Sequence, residues 1–173
     1  LYASSISNNV VSSGKTGTGT SKYGAVGGGA ITQGPAYLYY SHIDGNSVTV
    51  SGGGQIADAG GLFTLSPAKV YYSTIANNSV RMSAGTGNGP YIAVGGGLSA
   101  KYGANLLAST ISGNRVTCAT TNTSPNDFCL AGGVVNGYGP GSKASTLSVA
   151  YSTISATMPI SSAAACFRNT RWT

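Results

Sequence analysis

The stretch GGLFTLSPAKVYYSTIANNSV, residues 60–80, contains the pattern that decides the fold. It consists of a glycine pair, an alternating segment, a Ser-Thr-Ile tripeptide, an asparagine three residues after the isoleucine and a valine five residues after it. Related copies occur along the whole chain, and their isoleucines are 37, 32, 36 and 43 residues apart, at Ile6, Ile43, Ile75, Ile111 and Ile154. Repeats at this spacing are typical of solenoid proteins.

The segment between the glycine pair and the isoleucine alternates in polarity. In the quoted copy, Ala68, Val70 and Tyr72 occupy every second position, and a period of two predicts a strand with these residues on its buried face. The intervening residues, including Tyr71 and its equivalent Tyr39, are expected to face outward, where they would stack on sugar rings or pack against a neighbouring chain. The alternation changes phase at the Ser-Thr pair, which predicts a bend.

A second short strand is predicted through the isoleucine and asparagine, and a third after the glycine pair. The variable stretches between the valine and the next glycine pair (residues 12–26, 49–59, 81–94 and 117–131) are interpreted as loops. Each repeat therefore contains about three short strands and no helix. The only familiar way to stack such repeats in register is an all-β solenoid of parallel strands, here with about four to five rungs of 32–43 residues.

Stacking in register brings equivalent side chains together in columns. An asparagine ladder inside the coil is expected to satisfy the backbone groups of the bends, and its members are Asn9, Asn46, Asn78 and Asn114. The repeats cover residues 1–156, interpreted as part of a longer solenoid. Residues 157–173 depart from the pattern and are predicted to be a terminal strand, a cap or a linker.

Two of these elements resemble paired motifs of a known group of proteins. Gly28-Gly29-Ala30-Ile31 matches a Gly-Gly-Ala-Ile motif, and Ile43-Asp44-Gly45-Asn46 matches a Phe-x-x-Asn motif with isoleucine replacing phenylalanine. The chain thus resembles the bacterial exported right-handed parallel β-helix proteins of pectin-lyase-like fold, in particular polymorphic outer-membrane-protein and autotransporter passenger repeats. The resemblance implies a right-handed coil in a protein that is secreted or exposed on the bacterial outer membrane.

Acidic residues are too scarce to favour catalysis. Charged residues make up 7% of the chain, and the only acids are Asp44, Asp58 and Asp127, whereas lyases and hydrolases on such folds need carboxylates as metal ligands or acid–base pairs. The one local candidate is His42 with Asp44, two outward residues that form a weak general-base pair or are simply surface polar groups. No metal site, phosphate loop or cofactor motif is predicted.

Basic residues exceed acids by nine to three, which gives a net charge of +6. Stacking in register would collect a basic and aromatic stripe beside the predicted loops, which suits an acidic polysaccharide, lipopolysaccharide or a host surface. The alternative is that the charge only aids solubility. The stripe consists of Lys15, Lys22, Tyr23, Arg81, Tyr91 and Arg115.

The three cysteines point to an oxidising compartment. Cys118 and Cys129 bracket one predicted loop, and a disulfide between them would close it; the alternative is two free thiols. Without a nearby histidine or third cysteine, a zinc site is not expected. Cys166 is left over, and its partner is expected outside this chain.

The sequence favours a structural or adhesive role, in which a solenoid segment of an exported bacterial surface protein displays loops or acts as a stalk. The alternative is a glycan-binding or polysaccharide-degrading domain of the pectin-lyase type. In a third hypothesis, the ends of the solenoid are interfaces that stack end to end on neighbouring chains or rungs.

Overall fold

The computed structural model describes residues 1–14, 24–51, 56–83, 92–118, 128–137 and 145–157, and the leftover Cys166 lies outside them. Within these ranges the chain forms strands, bends and turns but no helix. The strands belong to four sheets, and every strand pair is parallel. The protein is therefore all-β, as the sequence predicts.

The four sheets are named here in the order in which one repeat visits them. Sheet I contains β5 (Ala36–Tyr39), β10 (Ala68–Tyr71), β15 (Ala104–Leu107) and β19 (Leu147–Ala150). Sheet II contains β1 (Ser5–Ser7), β2 (Val10–Gly14), β6 (His42–Asp44), β7 (Ser47–Ser51), β11 (Thr74–Ala76), β12 (Ser79–Ser83), β16 (Thr110–Cys118) and β20 (Thr153–Thr157). Sheet III contains β3 (Ala25–Val26), β8 (Ile56–Asp58), β13 (Ile92–Val94) and β17 (Phe128–Leu130). Sheet IV contains β4 (Ala30–Thr32), β9 (Leu62–Thr64), β14 (Leu98–Ala100) and β18 (Val134–Asn136).

Each strand pairs with the equivalent strand of the adjacent repeat. In sheet II the isoleucines pair in register, as in Ile43 with Ile75 and Ile75 with Ile111. In sheet IV the residue after each glycine pair does the same, as in Leu62 with Leu98. The in-register parallel stacking predicted from the repeat is confirmed, and it is consistent with a β-solenoid.

The prediction of three strands per repeat is wrong, because the segments interpreted as loops contribute strands of their own. The strands after the asparagine extend past the valine that recurs in the repeats, as β7 does to Ser51. The strands of sheet III lie just before the glycine pair. The sheet III strands have only two or three residues each. A period of two does not show over so short a segment.

The asparagine ladder is present, and it runs in one direction. The backbone N and Nδ2 of Asn46 donate to Oδ1 of Asn78 at 2.9 and 3.0 Å. Asn78 makes the same pair of bonds to Asn114, at 2.9 and 3.0 Å, and its Nδ2 also donates to the Ile43 carbonyl at 2.9 Å. Asn9 begins the ladder by donating from its N and Nδ2 to Oδ1 of Asn46.

A second hydrogen-bonded ladder consists of serines, and the sequence analysis did not predict it. The backbone N of Ser41 donates to Oγ of Ser73, and that of Ser73 donates to Oγ of Ser109, each at 3.1 Å. Each hydroxyl in turn donates to the carbonyl two residues earlier, as Ser73 does to Tyr71 at 2.7 Å. The serine of the Ser-Thr-Ile tripeptide thus satisfies two backbone groups at the bend.

We expect Asn78→Ala to lower the free energy of unfolding by about 3 kcal/mol, because the buried Asn46 amide and Ile43 carbonyl would lose their partner. The measurement is guanidinium chloride denaturation followed by far-UV circular dichroism. The control is Asn77→Gly, since Asn77 has φ 54° and its equivalents in adjacent repeats are Gly45 and Gly113 at 66° and 62°. Equal losses in the two variants would contradict a specific role for the ladder.

The glycine pair lies against the asparagine bend across the coil, and it divides the interior in two. A Cβ on Gly61 would lie 3.0 Å from Nδ2 of Asn78, and one on Gly60 would lie 2.6 Å from the backbone N of Ser79. One apolar cluster, including Leu62, Val70 and Ile75, lies on one side of this contact, and another, including Val80 and Met82, lies on the other. The pair is glycine because two backbones meet there.

Candidate binding face

Tyrosines, exposed or half-buried, lie on the outer surface of β5 and β10 in sheet I and at the bends beside them. We call this surface the tyrosine face. It consists of Tyr2, Tyr37, Tyr39, Tyr40, Tyr71 and Tyr72, of which Tyr2, Tyr37, Tyr40 and Tyr72 are among the most exposed large hydrophobic side chains. Registered pairing of β5 with β10 brings these rings together, since Tyr39 is opposite Tyr71.

The rings contact one another in an ordered array. Tyr40 and Tyr72 stack nearly parallel, with their centroids 5.0 Å apart and an interplanar angle of 8°. Tyr39 meets Tyr71 edge to face at 5.2 Å, and Tyr2 meets Tyr40 edge to face at 6.0 Å. The 5.0 Å stacking distance is close to the spacing of about 4.8 Å between paired strands, so the register of the sheet sets it.

The prediction that Tyr72 and its equivalents point into the core is wrong. Tyr40 and Tyr72 are 54% and 49% exposed, because both have left-handed backbones, with φ 49° and 50°. That conformation ends the strand one residue early and turns the side chain outward. It is uncommon for a bulky residue, and backbone strain of this kind clusters at functional sites.

The tyrosine face carries a positive charge at one edge. Lys69 is opposite Tyr37 in the sheet, and its Nζ lies 5.5 Å from the centre of that ring. A lysine over an aromatic face is a cation–π contact, which holds the charge at the surface. The remainder of the face consists of phenol rings, which combine an apolar surface with a hydroxyl.

The proposed His42 and Asp44 pair lies on β6, where the two residues flank the buried Ile43. His42 is exposed, and both side chains are on the outer face, as predicted. Oδ1 of Asp44 accepts a hydrogen bond of 2.9 Å from Nδ2 of Asn77. The carboxylate is thus held by the next repeat, and its role as a general base stays a prediction.

Only part of the proposed basic stripe is described. Arg81 on β12 and Arg115 on β16 are exposed on the outer face of sheet II. Because Arg115 is opposite Ser79, the two arginines are diagonal neighbours on adjacent strands. The stripe's other four residues, Lys15, Lys22, Tyr23 and Tyr91, lie outside the described residues.

Asp58 is a buried carboxyl that the sequence did not single out. It lies on β8 with 3% of its surface exposed, between Val26 and Val94 of the paired strands. Burial raises the pKa of Asp58 from its ordinary 3.8 to about 7, although hydrogen bonds from Ser99 and from the backbone of Ala59 act in the opposite direction. Oδ1 accepts no hydrogen bond from the described part of the chain.

Cys118 and Cys129 form the predicted disulfide, with their Cα atoms 6.2 Å apart. The bond joins β16 of sheet II to β17 of sheet III, and both cysteines belong to the second apolar cluster. It therefore closes the segment between them and also links two faces of the coil.

Within the described ranges, no three histidine, cysteine or acidic side chains come together in a way that would hold a metal ion. The described residues also include no helix long and apolar enough to span a membrane. No protein-family model matches the chain, and no curated protein or solved structure is significantly similar to it.

Proposed function

We propose that the chain is a right-handed parallel β-helix of four to five rungs that belongs to a bacterial surface or secreted protein. The resemblance to polymorphic outer-membrane-protein and autotransporter passenger repeats supports the export and the handedness. The in-register parallel stacking is compatible with a β-helix. The Cys118–Cys129 disulfide is compatible with export to an oxidising compartment. In this proposal the coil is a rigid stalk that presents binding surfaces.

We propose further that the module is adhesive and that it binds glycans through the tyrosine face. The observation that carries this proposal is the set of surface tyrosines whose rings contact one another, with one pair stacked and two pairs edge to face. The partly positive C–H groups on one side of a sugar ring pack favourably on the electron-rich face of an aromatic ring, while the sugar hydroxyls stay in water. Tyrosine also loses little conformational entropy on binding, which suits an interface residue.

The tyrosine face is a better candidate than the basic stripe for a first test because the structure describes all six of its tyrosines and five of them contact another ring. The basic stripe still suits an acidic polysaccharide or lipopolysaccharide, because Arg81 and Arg115 are exposed and could pair with its anionic groups. Neutral and acidic glycans therefore both belong in the experiment.

The test is affinity electrophoresis and calorimetric titration with mannan, galactan, dextran, chondroitin sulfate and lipopolysaccharide. We expect at least one of them to bind, and we expect the double variant Tyr40→Gly/Tyr72→Gly to weaken that binding by about 10-fold or more, since each stacking contact contributes on the order of 1 kcal/mol. Glycine tolerates the positive φ at both positions, so the variant keeps its fold.

The matched control is Tyr102→Ser, which removes another exposed tyrosine, from the bend before β15, where Lys101 covers it. Its binding should equal that of the wild type. If no polysaccharide binds the wild type, the adhesive proposal is wrong and the tyrosine face is left with the role of packing against protein. If Tyr102→Ser weakens glycan binding as much as the double variant does, the tyrosine face is not the binding site.

A further inference from the structure

The column of left-handed residues at the end of sheet I has one gap in its line of tyrosines. Successive repeats place Tyr40, Tyr72, Ala108 and Tyr151 at this position, with φ 49°, 50°, 46° and 49°. Backbone hydrogen bonds keep them in register, since Tyr72 N donates to the Leu107 carbonyl at 2.9 Å and Ala108 N to the Ala150 carbonyl at 3.0 Å. Ala3, with φ 44° and its N donating to the Tyr39 carbonyl, precedes them in the column, so three of the five described positions carry a phenol and Ala108 leaves the gap between two of these tyrosines.

This gap has the thickness of a single ring. Tyr72 and Tyr151 are two strand spacings apart, about 9.6 Å, so a ring at the level of Ala108 would lie about 4.8 Å from each. Tyr40 and Tyr72 already stack at 5.0 Å in the adjacent position. Stacking on Tyr40 uses one side of the Tyr72 ring, and no other described aromatic ring stacks on its opposite side. Tyr151 is 93% exposed, so nothing in the described part of the chain covers it.

The surroundings of the gap are uncharged: the half-buried Leu107 lies beside Ala108 on the outer face, and polar residues lie farther out. Thr110 and Thr153 pair on adjacent strands two residues beyond the bend, and both are exposed. Asn105 and Ser148 pair on the outer face of sheet I, three residues before the bend. A ligand between the tyrosines would therefore meet two apolar walls and a rim of hydroxyl and amide groups. That combination matches a neutral sugar, which has apolar faces and a polar edge, better than it matches an aromatic side chain or an anion.

We propose that the slot over Ala108, between Tyr72 and Tyr151, binds one pyranose ring of a neutral glycan. This inference rests on the proposed glycan-binding function and specifies its central subsite. The rest of the tyrosine face would contact the neighbouring sugars of the same chain. The ring would enter edge-on from the solvent, because Ala108 forms the floor of the slot.

The experiment fills the slot instead of removing its walls. Ala108→Tyr places a phenol in a column that already holds three, with the same backbone, and so completes the stack. We expect this variant to keep its stability and to lose at least 10-fold in affinity for mannotetraose, cellotetraose or galactotetraose, whichever binds best. Saturation-transfer difference NMR should then show loss of the signal from the sugar ring hydrogens. Ala108→Gly is the control, since it keeps the slot open and suits the positive φ.

The outcomes separate this inference from the proposed function. Unchanged binding in Ala108→Tyr, together with loss in Tyr40→Gly/Tyr72→Gly, would overturn the slot and leave the tyrosine face as the glycan site. Loss in Ala108→Tyr and in Tyr151→Gly, with wild-type binding in Ala108→Gly, is the result we expect. Absence of tetrasaccharide binding to the wild type, with a polysaccharide still bound, would overturn the slot alone, and absence of any glycan binding would overturn both. Stronger binding of a tyrosine-rich peptide than of any sugar would assign the slot to a protein partner and contradict the proposal.

Discussion

Gly60→Ala is expected to lower the free energy of unfolding by about 4 kcal/mol or more, a loss typical of substitutions that severely disrupt a protein core. An added Cβ would lie 2.6 Å from the Gly96 carbonyl oxygen and 2.6 Å from both the backbone N and O of Ser79. All three atoms are backbone, in strands and bends held by hydrogen bonds on both sides, so none can move aside as a flexible side chain would. The variant should unfold at a much lower guanidinium chloride concentration than the wild type.

The matched control is Gly34→Ala. An added Cβ at Gly34 meets nothing within 4 Å, so the substitution should be neutral or stabilise the protein by up to about 1 kcal/mol through the entropy of the unfolded chain. Similar unfolding midpoints for the two variants would show that the glycine pair is not packed backbone to backbone. Because solenoids unfold with limited cooperativity, hydrogen exchange should accompany the denaturation curves.

Asp58→Val is expected to stabilise the protein at pH 8 by about 4 kcal/mol and to have little effect at pH 4. Burial raises the pKa of Asp58 from 3.8 to about 7, so between these values the folded chain holds a proton that the unfolded chain has released. The free energy of unfolding therefore falls as pH rises from about 4 to 7, and each pKa unit corresponds to about 1.4 kcal/mol. Valine fits because Val26 and Val94 occupy the same column.

The measured quantity is the difference in free energy of unfolding between Asp58→Val and the wild type, obtained by urea denaturation at pH 4, 5, 6, 7 and 8. Ser99→Ala gives a second measurement, because the Ser99 hydrogen bond lowers the pKa of Asp58. Without this hydrogen bond the pKa of Asp58 rises further, so in Ser99→Ala the decline of the free energy of unfolding should keep the same slope and extend above pH 7. A difference between Asp58→Val and the wild type that stays constant from pH 4 to 8 would mean that Asp58 is not buried in the protonated form.

The sequence was most informative where equivalent residues stack on one another. Five isoleucines at similar spacing were enough to predict the register of sheet II, because a one-residue slip would move a whole column out of the core. The spacing of Cys118 and Cys129 was enough to predict their disulfide. The same reasoning predicted the hydrogen-bonded asparagines. For the isoleucines and asparagines, one repeat acts as an independent copy of the next, so the chain itself contains the comparison, whereas the disulfide was predicted from two cysteines that bracket one loop.

The sequence did not predict which way residues at the bends would face. A strict period of two placed Tyr40 and Tyr72 in the core, whereas the left-handed conformation at the end of the strand turned them outward. The ladder serines recur with the isoleucines, but their recurrence did not reveal that they hydrogen-bond the bends, and the very short strands of sheet III produce no periodic signal. The sequence therefore predicted only part of the candidate site: it placed Tyr39 and Tyr71 on the outer face, but it did not place the stacked Tyr40 and Tyr72 there.

The amino-acid sequence by itself determined that this protein is an all-β stack of parallel repeats, and it determined which residues lie above one another. Contacts across the coil, between segments of one repeat, were decided only by the tertiary structure. The glycine pair is needed because the asparagine bend approaches it from the opposite side. Stacking depends on similarity between repeats, which a sequence displays, whereas packing across a repeat depends on where the bends direct the chain.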